Sequence, residues 1–234
     1  MPLQPFPEDW STALAVVAHP DDMEYGAAAA VARWTQQGKR VAYVLVTDGE
    51  AGIATMDPSV VGPLRRAEQI AACATVGVDD VEFLGLPDGL LVEGTELRAA
   101  LCEPIRRHRP DVVLSINFRD SWGGPSWNHV DHRAVGRSLL DAVRDAANPW
   151  VFPEVVPAWD GVRFVAFSGS PGATHAVEVT ETFDRGVESL ACHELYLDNL
   201  GGDMSSPADF LRGPAASAGE AFGVDLATTF EIVG

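Results

Sequence analysis

The chain is predicted to adopt an α/β fold of the Rossmann-like, doubly wound kind. That is a mainly parallel sheet with helices on both faces, in three layers. Three observations predict it. Short apolar runs alternate with helical segments through the first two-thirds of the 234 residues. The runs are rich in β-branched residues and too short for helices. Gly or Pro punctuates nearly every junction. Such βαβα alternation implies a parallel sheet covered on both sides, and right-handed crossovers make the doubly wound topology the economical one. With 47% hydrophobic residues, the chain can bury one sizeable core. It reads as a single domain over 1–234, with an α/β core over about 13–146 and a looser part over 147–234.

The elements follow in order. "ALAVVA" (13–18) is a strand, and the Ala-rich stretch 23–38 is a helix ending at Gly38. "RVAYVLVTDG" (40–49) is a strand stopped at Asp-Gly. Residues 62–78 form a helix with Pro63 in its first turn. "VEFLGLPDG" (81–89) is a strand and turn, and 95–110 is a helix bent or broken at Pro104. "DVVLSIN" (111–117) is the fourth strand, and 128–146 a helix. Beyond residue 150, 162–169 and 175–179 read as strands and 181–197 as a helix. "GGDMSSPADFLRGPAASAG" reads as loop with one short helix.

The net charge of −18 disfavours nucleic acid and anionic membrane surfaces as partners. Cys73, Cys102 and Cys192 are far apart and odd in number, so they read as free thiols. No secretory leader and no membrane span is visible, and the expected location is the cytoplasm. A homo-oligomer is compatible with the sequence.

The chemistry is concentrated in "VVAHPDDMEYG" (16–26). Residues beyond the C-terminal ends of strands line the ligand crevice in open α/β sheets. A dinucleotide site needs glycines at this first turn, whereas this chain places His19, Asp21 and Asp22 there. Carboxylates repel phosphate, so a cation is the better guest. The other His-rich segment, "NHVDH" (128–132), follows the fourth strand. In the order 3-2-1-4 that strand neighbours the first, so the two clusters face each other across one crevice. The plainer alternative, an acidic N-cap with Glu24 favoring the helix dipole, explains the acids but not His19.

"AHPDDME" resembles the first signature of the GlcNAc-phosphatidylinositol de-N-acetylase (PIG-L, or LmbE-like) family. "TDGEAG" (47–52), "LRRAEQIAACATVGV" (64–78), "VEFLGLPDG", "NHVDH" and "GEAF" (219–222) are similar to further family segments, with Val130 replacing a usual proline. The resemblance implies a Zn2+-dependent deacetylase with a Rossmann-like fold, acting on an amino sugar or its conjugate. Residue by residue, it implies His19, Asp22 and His132 as metal ligands and Asp21 as general base. It gives His129 the oxyanion, makes Asp131 the residue that orients a histidine, and puts Arg65 and Asp88 at the sugar.

Three protein ligands leave the fourth position open, the pattern of a catalytic zinc that activates water. Fe2+ or another divalent ion suits the same donors. Asp131 next to His129 is expected to favour an imidazolium there. Trp122 and Trp127 are read as sugar platforms or as packing under their loop. Without the family match, Arg65 reads as a surface pair with Glu68 and Asp88 as a turn residue. His108, His175 and His193 read as structural or surface residues. Rival functions are an amidase of a larger thiol–sugar conjugate and a sugar- or metal-binding module without catalysis.

Overall fold

The computed structural model describes residues 2–154 and 156–234. Eight strands form one sheet: β1 (Gln4–Pro5), β2 (Thr12–Val17), β3 (Arg40–Leu45), β4 (Asp80–Phe83), β5 (Val112–Ile116), β6 (Val165–Ser168), β7 (His175–Glu178) and β8 (Ala227–Val233). Their spatial order is β1-β7-β8-β6-β5-β2-β3-β4. From β6 to β4 every pairing is parallel. β8 runs antiparallel to both β6 and β7, and the short β1 lies parallel beside β7. β2, the first long strand, has β3 on one side and β5 on the other. The strand order reverses at that point, where a crevice opens.

The period-two alternation of β2 sends Ala13, Ala15 and Val17 to one apolar layer and Leu14, Val16 and Ala18 to the other. Helices α1 (Asp22–Gly26) and α2 (Ala28–Gln36) follow β2, and Ala28, Ala30, Val31 and Trp34 of α2 cover the first layer. α3 (Pro58–Thr75) links β3 to β4. α4 (Thr95–His108) and α5 (Val130–Ala147) cover the second layer with Leu97, Leu101, Ile105, Val135 and Leu139. Both faces of the sheet are therefore clad, as the near-continuous apolar strands require. α6 (Phe183–Ala191), α7 (Glu194–Asn199) and α8 (Pro207–Phe222) complete the chain, with a 3₁₀ turn at Gly202–Ser205. No helix among the described residues is long and apolar enough to cross a membrane. The three cysteines are free.

Several local expectations are corrected. The stretch 23–38 is two helices, because Ala27 leaves helical geometry at φ −147°. α3 starts earlier than its glycine suggested, so Pro63 sits inside it; Asp57 caps it by accepting from the Ser59 N–H. α4 continues through Pro104, and ends at Arg109 in a left-handed conformation. Residues 181–197 break into two helices at Cys192–His193. The Gly/Pro/Ser-rich tract holds the 16-residue α8, with Pro207 in its first turn. β8 is an additional strand.

Candidate active site

β2 ends at Val17 and the chain turns sharply to enter α1. Asp21 occupies that turn at φ +92°, a left-handed conformation uncommon for a residue with a Cβ. The Gln69 Oε1 of α3 accepts from its backbone N–H at 2.9 Å. The Gln69 amide NH₂ in turn donates to Glu24 Oε1 at 3.0 Å. Gln69 thus clamps the turn from an adjacent helix. The opposite half of the site is set by Asn128. Its NH₂ donates to the carbonyls of Asn117 and Arg119, which fixes the amide orientation. Its Oδ1 is then the atom 2.8 Å from His132 Nδ1. His129 caps α5, its Nδ1 accepting from the Asp131 N–H at 3.2 Å.

The tautomers follow from these partners. Asn128 Oδ1 can only accept, so His132 carries its proton on Nδ1 and leaves Nε2 bare. His19 Nε2 lies 3.1 Å from Asp88 Oδ1 and 3.2 Å from Asp131 Oδ2, so in the neutral ring the proton sits there and Nδ1 is bare. The two bare nitrogens are 3.1 Å apart. Asp22 completes the set, with Oδ1 at 3.0 Å from His132 Nε2 and Oδ2 at 3.7 Å from His19 Nδ1. With both rings neutral the two lone pairs repel, and a proton or a metal cation between them relieves the repulsion. Ligands 2.0–2.1 Å from a tetrahedral ion stand about 3.3 Å from one another, close to these spacings. The donor set therefore fits a divalent metal. His129 also brings a ring nitrogen into this cluster, and a second group of close donors is His19, Asp88 and Asp131.

The electrostatics separate two adjacent carboxylates. Burial raises the pKa of both, but His132 and His19 overcome it at Asp22 and hold that carboxyl well below the usual range. At Asp21 burial prevails over the Arg65 guanidinium and the nearby Asp22 charge adds to it, so the pKa is pushed up to about 6. A carboxylate tuned there suits a proton shuttle near neutrality. For His19, burial disfavors the cation, yet the hydrogen bonds of Asp131, Asp22 and Asp88 carry its pKa well above the ordinary value in the metal-free protein.

His129 departs from the expected imidazolium. Its pKa is lowered, first by burial and then by His19 and His132. The Asp131 carboxylate is engaged elsewhere, by His19 and by the N–H groups of Gly89 and Leu91. A neutral His129 whose Nδ1 accepts from the backbone carries its proton on Nε2 and can still donate to an oxygen.

The remaining candidates divide. Asp88 is more than a turn residue, with one oxygen on His19 and the other accepting from the Ala51 N–H. Arg65 is buried, and its guanidinium bonds Asp21 Oδ2 at 2.9 Å and the carbonyls of Pro20 and Gly49. A Cβ at Gly49 would lie 2.3 Å from Arg65 Nη1, and its φ is +65°, so only glycine lets the arginine through. Glu68 instead accepts from the Leu195 N–H. Trp122 stands edge-on to His132, ring centroids 5.9 Å apart, and Trp127 is 89% exposed; both line the cavity. His193 is fully buried, 3.7 Å from Glu24 Oε2. Gln69 and Asn128 are contributors that sequence reasoning missed and Glu24 one that it gave only a helix-dipole role, although each lies inside a segment similar to the family's.

Residues 14–143 match the family model "PIG-L: GlcNAc-PI de-N-acetylase", which is more than half of the chain. The chain belongs to the PIG-L family. One PIG-L relative is the 1D-myo-inositol 2-acetamido-2-deoxy-alpha-D-glucopyranoside deacetylase 2 of Saccharopolyspora erythraea. It is 31% identical over 173 residues, 63% of this chain and 61% of that protein. The chain thus spans about three-fifths of that relative's length. A diacetylchitobiose deacetylase of Thermococcus kodakarensis is 29% identical over 198 residues, covering 82% of this chain and 72% of its own. Among solved structures, the N,N'-diacetylchitobiose deacetylase from Pyrococcus horikoshii superposes with a TM-score of 0.85 at 24% identity, over 97% of this chain and 85% of that one. That likeness establishes the α/β fold.

Proposed function

We propose that this protein is a zinc-dependent hydrolase that removes an N-acyl group, acetyl in the simplest case, from an amino sugar or amino-sugar conjugate. The observation that carries the reading is the convergence of His19 Nδ1, His132 Nε2 and the Asp22 carboxylate, the two ring nitrogens 3.1 Å apart, beside a second carboxylate, Asp21, of opposite pKa shift. The deacetylase names of the relatives support the same reaction class.

His19, Asp22 and His132 would hold the metal, and Asp131 and Asp88 brace His19 from behind. When bound, zinc supplies Lewis-acid polarisation of the scissile carbonyl and of the attacking water. Asp21, ionised above its pKa, takes a proton from that water as it adds to the carbonyl carbon. Arg65 fixes the carboxylate through Oδ2, and Oδ1 would be the oxygen that takes the proton. His129 donates its Nε2 proton as a hydrogen bond to the carbonyl oxygen as negative charge gathers there. Asp21 then returns the proton to the departing nitrogen as the C–N bond breaks, releasing the amine and a carboxylic acid. Trp122 and Trp127 offer apolar faces to the sugar ring.

The direct test is a panel of N-acetyl amino sugars, free and conjugated, assayed for amine and acetate release with metal-replete and chelator-stripped protein. Stoichiometric amine and acetate, lost on stripping and restored by Zn2+, is the expected result. Turnover that survives stripping, or no turnover with any member, overturns the proposal.

A further inference from the structure

The reaction above uses only one end of its cavity. That cavity encloses about 1110 Å³, just above the roughly 300–1,000 Å³ typical of sites for drug-sized ligands. Around the histidines its walls are polar or aromatic, with Asp88, Asp120, Asn128, Arg133 and the two tryptophans. Past Tyr25 and Gly26 they change character. α8 turns Phe210, Leu211, Pro214, Ala215 and Ala218 into the space, a set that falls along one side of the helix. Ala27–Ala29, Val179, Phe183 and Ala227 stand opposite, with Ser168, Thr228 and Thr229 as hydroxyl-bearing neighbours. Apolar faces of surface helices normally pack against the core. This one borders open volume continuous with the chemical centre, and Phe210, Leu211, Ala215 and Ala218 are only partly buried.

We infer that this annex holds the acyl arm of the substrate, so that the preferred substrate is a medium-chain N-acyl amino sugar rather than an N-acetyl one. The inference rests on the N-deacylation reading and names its substrate class. An amide centred between Asp21 and His129 extends two arms in different directions. The sugar arm carries hydroxyls that need hydrogen-bonding partners, and the Asp88–Asp120–Arg133 end supplies them. The Ala- and Phe-lined end supplies few and suits a saturated chain. Each methylene moved from water into such a site is worth about fourfold in affinity.

The test compares amine release by the metal-replete full chain from N-octanoylglucosamine, N-acetylglucosamine and the octyl glycoside of N-acetylglucosamine. The expected kcat/KM for the N-octanoyl sugar is roughly 10²-fold above that for the N-acetyl sugar, with about half of the six extra methylenes counted as fully buried. The octyl glycoside is expected to match N-acetylglucosamine. Ala218→Trp, which fills the annex, should cut the octanoyl-to-acetyl ratio at least tenfold. Ala216→Trp, on the exposed side of α8, should leave the ratio alone. Equal rates for the two acyl groups, a gain confined to the octyl glycoside, or a ratio insensitive to Ala218→Trp overturns the inference. Calorimetric binding to the Asp21→Asn variant separates this from the reaction itself. If no N-acyl sugar is turned over, the hydrolase reading fails, while tighter binding of the N-octanoyl sugar still supports the annex and equal binding refutes it.

Discussion

The turn after β2 and the turn after β5 face each other but are held by opposite means. The first is braced from afar. Gln69 and Arg65, 48 and 44 residues downstream of Asp21, fix its backbone N–H and its carboxylate. The second is braced by its own sequence. Asn128 reaches His132 four residues on and ties down the carbonyls of Asn117 and Arg119 behind it, while His129 caps the helix it begins. The base thus depends on how α3 packs, whereas the orientation of His132 is nearly self-contained. Disturbing α3 should therefore injure proton transfer first, and disturbing the Asn128 turn should injure metal binding first.

The most severe test removes a donor outright. His132→Ala is expected to abolish metal retention and bring turnover to background, read as zinc content by elemental analysis alongside amine release. Full occupancy in that variant would break the ligand assignment. Asp21→Asn should keep the metal and lose about 10²–10⁴-fold in kcat. Its pH profile in the wild type carries a sign: activity falls as pH drops through the Asp21 pKa, because the protonated acid cannot accept a proton. The acid limb of kcat/KM is expected at or below pH 6, since bound Zn2+ stabilises the carboxylate and shifts the metal-free value of about 6 downward. An acid limb well above pH 7 would point to another base. Asn128→Ala frees the His132 tautomer and should weaken zinc affinity about 10–100-fold, measured by competition with a chelator. Gln69→Leu sharpens the contrast from the other side. It should lower kcat about tenfold with zinc affinity unchanged, and loss of metal in that variant would collapse the distinction between the two turns.

Much of the architecture was legible because the first half of the chain is locally consistent. Apolar runs such as "ALAVVA" and "DVVLSI" end at the residues that border the crevice, and Gly38 and Gly77 end the segments between them at positive φ. The strand neighbours β2 and β5 were inferred from topology alone, and the sheet has them adjacent. The α8 tract misled because Gly213, Pro214 and Gly219 inside it all lower helix propensity. That helix stands by packing against β8, and in the turn that joins the two Gly219 comes so close to the Asp225 carbonyl that a Cβ would collide at 2.4 Å. Within the site, the metal-type donors cluster in two short strings and so could be read. Arg65 was readable as a helix-surface pair with Glu68 or, through the resemblance, as a sugar contact, since its burial against Asp21 and Gly49 is a tertiary fact. Gln69 and Asn128 carry no chemical signature of their own.

The position of β8 bears on the order in which the chain can be assembled. It is the last of the eight strands in sequence, yet it lies between β6 and β7 in the sheet. During synthesis β5 can pair with β2 and β6 with β5, but the free side of β6 has no partner until residues 227–233 emerge. β7, and with it β1, has nowhere to dock before then. A nascent chain therefore carries an open apolar sheet edge, a surface prone to self-association, until the strand bearing Ala227 closes both the sheet and one wall of the cavity in a single step.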